Sequence, residues 1–526
     1  MTDGEIVAVG DVAAFVGEQT CEIDLTGSLI APGFHDSHVH PIGAGVELLQ
    51  CDLSQSADAS DAFQLIAAYA ATQPADGWVL GGGWSMDHYA GGVPTRQSLD
   101  SVTGGRPAVL SNRDHHGVWV NSKALSLAGI TRDTPDPVDG RIERDTAGEP
   151  SGVLHEGAMA LVDGVKPVID AELAYQGLLR AQDELLSLGI TSWQDAMVDV
   201  VDDSYDTLDV YTRALSTGEL RARVVTALWW ARDRGLEQLG ELAARRKRIA
   251  SLDQAEWLHA NAVKIMVDGV MENFTAAMSE PYLDQDGKAT ANSGLAFVEP
   301  SVLAAATQRL DAEGVQVHFH ALGNRAVTEA LDAVEHARTV NGAGCGRHHL
   351  AHLQVVDEAD AGRFAALDAT ANLQALWACH EEQLDELTLP FIDARFAARQ
   401  YPFGDLERAG ARLTAGSDWP VSTADPIQAM HVAVNRAAPG VNDNPLFAGQ
   451  ALALTDIFDA YTAGGAYIAS REEITGRIES GMRADLVVLD RNPFELDPAE
   501  IYRTTVRSTW IDGRCVYDVA AADLDQ

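Results

Sequence analysis

The sequence predicts an α/β chain built around a (β/α)8 TIM barrel. Three observations carry that expectation: short apolar runs alternate with amphipathic helical stretches, the alternation spans roughly 400 residues, and polar residues recur where the apolar runs end. Strands that alternate with helices pair in parallel, and a long series of such units favours closure over an open sheet. The chain's 46 glycines suit the many tight strand–helix turns this requires.

In chain order, EIVAV (5–9) and EIDLTGSLI (22–30) read as short strands around a polar turn. The stretch from about 54 to 160 is rich in Gly, Asp and Pro, interrupts the alternation, and is expected to be an insertion capping the barrel mouth. Barrel units follow: GITSWQDA (189–196), AVKIMVDG (262–269), VQVHFHALG (315–323) with the helix NRAVTEALDAVEHAR, HHLAHLQ (348–354) and ARLTAGSDWP (411–420). Near the end, DLVVL (485–489) and TVRSTWIDGRCV (505–516) read as strands, the latter turning at Asp512-Gly513.

Composition narrows the function. Among 526 residues there are 78 acidic and 37 basic side chains, so the net charge is 37 − 78 = −41. Such a surface repels phosphate backbones and anionic membranes, which argues against nucleic-acid or membrane partners. The five cysteines (Cys21, Cys51, Cys345, Cys379, Cys515) are scattered and form no CxxC pair, as in a protein of the reducing cytoplasm. The first residues show no basic segment leading into an apolar core, and no run of about 20 apolar residues occurs.

The histidines carry the chemistry. In HDSHVH (35–40), His38 and His40 share one face of a strand while His35 faces away. Two imidazoles at a strand end make half a zinc site, although an HxH pair alone is a weak signal. His318 and His320 repeat the pattern in VQVHFH, His352 follows another apolar run, and Asp418 another. Lys264 sits inside an apolar strand, where an ammonium is costly unless neutralised or modified. Each of these residues occupies the same place in its own β/α unit, and a barrel gathers strand ends at one face. Unrelated, satisfied core residues would explain any one of them, but not their shared position.

These motifs, with GGVPTRQSLD, HHGVWVNSKAL, GEPSGVL, HFHALGNRAV and GRIESGMRADLVVLD in order along nearly the whole chain, resemble the amidohydrolase superfamily. The resemblance is to its amidohydrolase family 3 branch, which includes N-substituted formamide deformylase. It implies a small β-sandwich from residues 1–32 and 474–526, with the hydrolase barrel over 33–473. It implies that His38, His40 and Asp418 hold one divalent metal and His320 and His352 a second, with two zinc ions per chain bridged by a carboxylated Lys264. A hydroxide shared by the ions would be the nucleophile, and Asp418 would carry its proton to the leaving nitrogen. Relatives usually have a further strand or so before EIVAVG. This chain departs from the branch at His35, Asn324, Ala351 and Phe274, none of which is an implied ligand.

By the same resemblance His116 faces the site and binds substrate or an oxyanion, and Trp419 lines the pocket. His318 is read either as a residue supporting the ligands from behind or, in preference, as barrel filler, and Asp195 as at most a neighbour of the ligands. His155 and Glu156 are read as structural because LHEGAM lacks the HExxH pattern, and Trp84, Trp119, Trp193 and Trp377 as packing. The expected activity is hydrolysis of a C–N bond in a small molecule: an amide, formamide, carbamate or cyclic amide. A one-metal hydrolytic deaminase, an esterase or lactonase on the same site, and a metal-free binding protein are the alternatives. Homodimers are common in such families, and the sequence shows no interface.

Overall fold

The computed structural model describes residues 1–522, apart from 202–203, 253, 344–345 and 442. Cys345 lies outside the described residues, and Cys21, Cys51, Cys379 and Cys515 are free thiols. Eight parallel strands form a nearly closed barrel: β1 (Phe34–Val39), β2 (Ile190–Val198), β3 (Arg223–Trp229), β4 (Leu258–Met266), β5 (Gln316–Ala321), β6 (His349–His352), β7 (Thr370–Leu373) and β8 (Arg412–Ala415). Each strand pairs with the next in sequence. The seam between β8 and β1 is joined just past the strand ends: the Asp418 N–H donates to the His38 carbonyl at 2.7 Å and the His40 N–H to the Trp419 carbonyl at 3.0 Å.

Helices pack outside this barrel for local reasons. Before β2, Asp170 caps the helix Ala171–Ser187 by accepting from the Leu173 N–H, and Ala174, Leu178, Ala181 and Leu185 form its buried stripe. After β5, the helix Asn324–Asn341 buries Val327, Ala330, Leu331 and Val334 in the same way. Inside the barrel the residues are largely polar: His318, His349, Asn372, Gln194 and Gln316 are all nearly inaccessible. Buried polar groups of this kind need partners or a ligand.

The segment expected to be a cap is a folded unit with cores of its own. Its six-stranded sheet runs in the order Cys51–Asp52, Val79–Trp84, Ala108–Asn112, Gly117–Val120, Pro150–Glu156, Gly140–Arg144, packed on one side around Trp84, Leu99 and Trp119. Glycines hid its second strand in the sequence. Gly81 has φ +152°, and a Cβ there would lie 2.2 Å from the Cys51 carbonyl oxygen, so close strand approach excludes a larger residue.

The two chain ends meet in one antiparallel sheet ordered Leu29–Pro32, Leu486–Leu489, Val506–Ile511, Arg514–Asp518. EIVAV forms no strand. Glu5 makes only isolated bridges, to Thr2 and Arg483, and Val7 and Val9 are exposed, so only Ile6 gains a buried surface. The expected strand at 22–30 begins only at Leu29 for the same reason, since most of the residues before it have nothing to pack against. No helix is long and apolar enough to cross a membrane among the described residues.

One buried cation ties this sheet to the barrel. Arg223, inaccessible at the start of β3, reaches Asp485 at 2.5 Å and Asp512 at 2.6 Å. Arg223→Ala strands the buried Asp485 carboxylate and is expected to cost about 3–5 kcal/mol, read as a lower urea midpoint at unchanged slope.

Candidate metal centre

The site lies where β1, β4, β5, β6 and β8 end. His38 and His40 project together, as the period-two alternation predicts, and Asp418 approaches them across the seam. The Asp418 carboxylate lies 3.1 Å from His38 Nε2 and 3.0 Å from His40 Nε2. One ligand atom from each of the three falls within 4.8 Å of the others. Asp418 has φ +58° and His352 φ +80°, backbone conformations costly for side-chain-bearing residues and typical of functional positions. His35 does not join the group; its Nδ1 lies 2.8 Å from the Ser192 hydroxyl.

The remaining expected ligands surround this cluster. The Lys264 ammonium is buried 3.3 Å from His38 Nε2. The His352 ring stands 4.7 Å from His38 and 4.5 Å from His320, centroid to centroid. Both nitrogens of His352 and the Nδ1 of His320 are buried without a hydrogen-bond partner. Such orphaned imidazole nitrogens, converging with a carboxylate, fit a divalent metal, and the N/O donor set suits zinc.

Electrostatics agree with that fit. Burial drives the His38 and His320 imidazoles well below their ordinary range and His352 to about 3, so all three stay neutral, as metal ligands must. Burial opposes ionisation of Asp418, but His38 and His40 hold its carboxyl well below the usual carboxylate range. Burial also lowers the Lys264 amine to about 7 against the pull of Asp418 and Asp195.

The surroundings correct three expectations. His318 is not filler: its Nε2 lies 2.8 Å from His38 Nδ1 and orients that ring. Glu156 is not merely structural. It ends a strand of the inserted sheet, at φ +50°, and holds His116 Nδ1 at 2.8 Å, with Thr275 at 3.0 Å and Arg232 at 3.7 Å. Trp377 does more than pack: its ring stacks on His352 at 5.5 Å with an interplanar angle of 6°. Asp195 accepts from the Tyr211 hydroxyl at 2.7 Å, and its charge acts on Lys264.

His116 stands 5.7 Å from His320, ring to ring. Burial would lower it, but Glu156 raises it to about 9. That shift favours the imidazolium at neutral pH. Asp268 was not singled out from the sequence, although it lies two residues past the end of β4 beside Gly269. It accepts from the N–H groups of Ala277, Leu322 and Gly323, and its carboxylate stands 3.4 Å from His320 Nδ1.

A cleft of about 660 Å³ opens beside these residues. Trp377 and Trp419 form part of its wall.

Comparison with known proteins bears on this geometry. Residues 21–517 match the Amidohydrolase family. Protein LONG AFTER FAR-RED 3 of Arabidopsis thaliana is 30% identical over 98% of this chain and 87% of its own length. N-substituted formamide deformylase of Arthrobacter pascens is 28% identical over 98% of this chain and 94% of its own. The fold is shared with an uncharacterized metal-dependent hydrolase from Pyrococcus horikoshii, at TM-score 0.71 and 24% identity over 95% of this chain and 94% of that one. With its barrel, its strand-end histidines and a match spanning nearly its whole length, the chain belongs to the amidohydrolase family.

Proposed function

We propose that this protein is a metal-dependent hydrolase that cleaves a C–N bond of a small amide, formamide, carbamate or cyclic amide. The observation that carries the proposal is the convergence of His38, His40 and Asp418 within 4.8 Å, ringed by buried nitrogens of His320 and His352 that make no hydrogen bond. His38, His40 and Asp418 would hold one zinc ion, His320 and His352 a second, and a carboxylated Lys264 would join them. When bound, the metal supplies Lewis acidity and a lowered pKa for water.

The protein's own groups account for the other steps. Asp418, ionised and fixed between His38 and His40, accepts a proton from the attacking water and returns one to the leaving nitrogen. His116 donates from its cationic ring to the oxygen on which charge develops. Glu156 keeps that ring protonated, and the Trp377 and Trp419 walls restrict water at the cleft.

The role of His116 has a pH signature. Its proton is present below about pH 9 and is lost above it, so activity falls on the alkaline side. Glu156→Gln removes the charge that raises this pKa. The alkaline limb of the kcat profile is then expected to move to lower pH, and an unmoved limb would contradict the role.

The reading is tested by metal content, measured by plasma emission on untagged protein, together with a panel of formamides, amides and carbamates. Near two ions per chain with turnover is the expected result. Near one ion favours the deaminase alternative, consistent with the single three-residue cluster among the described residues. No ion after reloading overturns the enzyme reading.

A further inference from the structure

The cleft beside the metal centre has a charge pattern that catalysis leaves unexplained. Its lining includes Asp52, Asp114, Glu184, Glu272 and Glu381 against only Arg113 and Arg180. Arg180 already binds Glu184 at 3.2 Å, Asp52 accepts from the Ser54 N–H at 2.9 Å, and Glu381, pushed up to about 7 by burial, feels the Arg113 charge without pairing with it. Asp52, Asp114, Glu272 and Glu381 thus have no Lys, Arg or His nitrogen at ion-pair distance among the described residues, and of these Asp114 and Glu272 form a pair, the Asp114 charge acting on Glu272.

Asp114 is the sharper of the two. It is 9% exposed, its Oδ1 accepts from the His116 N–H at 2.8 Å, and its Oδ2 has no partner. A buried carboxylate oxygen without a donor is costly, and a cleft-facing one invites a ligand that donates to it. Glu272 accepts from the Thr388 hydroxyl at 3.2 Å, and its carboxyl is pushed up to about 7, by burial first and by the Asp114 charge next. The Asp114 charge raises the cost of ionising Glu272, and a cation beside both carboxylates relieves it. The lining also includes the aromatic rings of Trp377, Tyr401 and Trp419, which suit the hydrocarbon part of such a molecule and its cationic head.

We propose that the substrate carries an ammonium group, seated between Asp114 and Glu272, with its apolar portion against Trp377, Tyr401 and Trp419. The inference rests on the hydrolase reading above and names its substrate class: an amide, formamide or carbamate of a molecule with a second, free amine.

The test is titration calorimetry of the zinc-loaded protein at pH 8 with two matched probes, 4-phenylbutylamine and 4-phenyl-1-butanol. The amine is expected to bind at least about tenfold more tightly, and the variant D114N/E272Q to lose that preference. Asn keeps the oxygen that accepts from the His116 N–H, and Gln the one that meets Thr388. Equal affinities, or no amine binding up to about 10 mM, overturn the inference. So does a preference kept intact in D114N/E272Q, the result expected if the amine sits on the metal instead. The titration reads binding alone, so it decides this inference whether or not any panel compound is hydrolysed.

Discussion

Asp418→Asn is expected to lower kcat by about 10⁴-fold while leaving the fold intact. The substitution is nearly isosteric: the contacts with His38 and His40, at 3.1 and 3.0 Å, both run to one carboxylate oxygen, and asparagine keeps one oxygen to make them. The Asp418 N–H still donates to the His38 carbonyl, so the seam keeps its backbone bond. What the amide lacks is the ability to take a proton from water and give it up again. Single-turnover kinetics with metal analysis on the same sample separates this loss from loss of the ion. Near-normal turnover would remove Asp418 from proton transfer.

Lys264→Ala is expected to lose both metal and activity, and to regain part of each with formate or acetate. Alanine abolishes the amine that burial holds at about 7. In the wild type that value leaves much of the amine neutral at neutral pH, the form that adds CO2. Reconstitution of stripped protein with zinc and bicarbonate should therefore speed up as pH rises through about 7 and slow as it falls below. A short carboxylate restores two oxygens to the vacated space without restoring the lysine. If Lys264→Ala binds two zinc ions with no added acid, the carboxylated lysine is excluded.

The legible parts of the site were those with local periodicity. His38 with His40, and His320 with its strand, announce themselves by alternation, and Lys264 by being the one cation in an apolar run. Asp418 was found because it ends a strand as the histidines do. Less legible were residues whose partners lie far away in the chain. Glu156 matters because Thr275, His116 and Arg232 meet it, contacts between the inserted sheet and two barrel strand ends. Trp377 reads as packing until His352, on the preceding strand, is seen against its face. The inserted sheet escaped notice because glycines at 81–83 break the apolar alternation that marks a strand.

The seam of the barrel has a consequence for how the molecule is completed. His38 and Asp418 are 418 − 38 = 380 residues apart, yet they face each other across the one strand junction that lacks a continuous ladder. On a ribosome, therefore, the first histidines emerge long before their carboxylate and stay without it until the last barrel strand is made. An ion held by His38, His40 and Asp418 would act as a clasp on the finished ring. Stripping it should loosen this junction before the others, seen as faster hydrogen exchange at the His40 and Asp418 amides than at amides within β4 and β5.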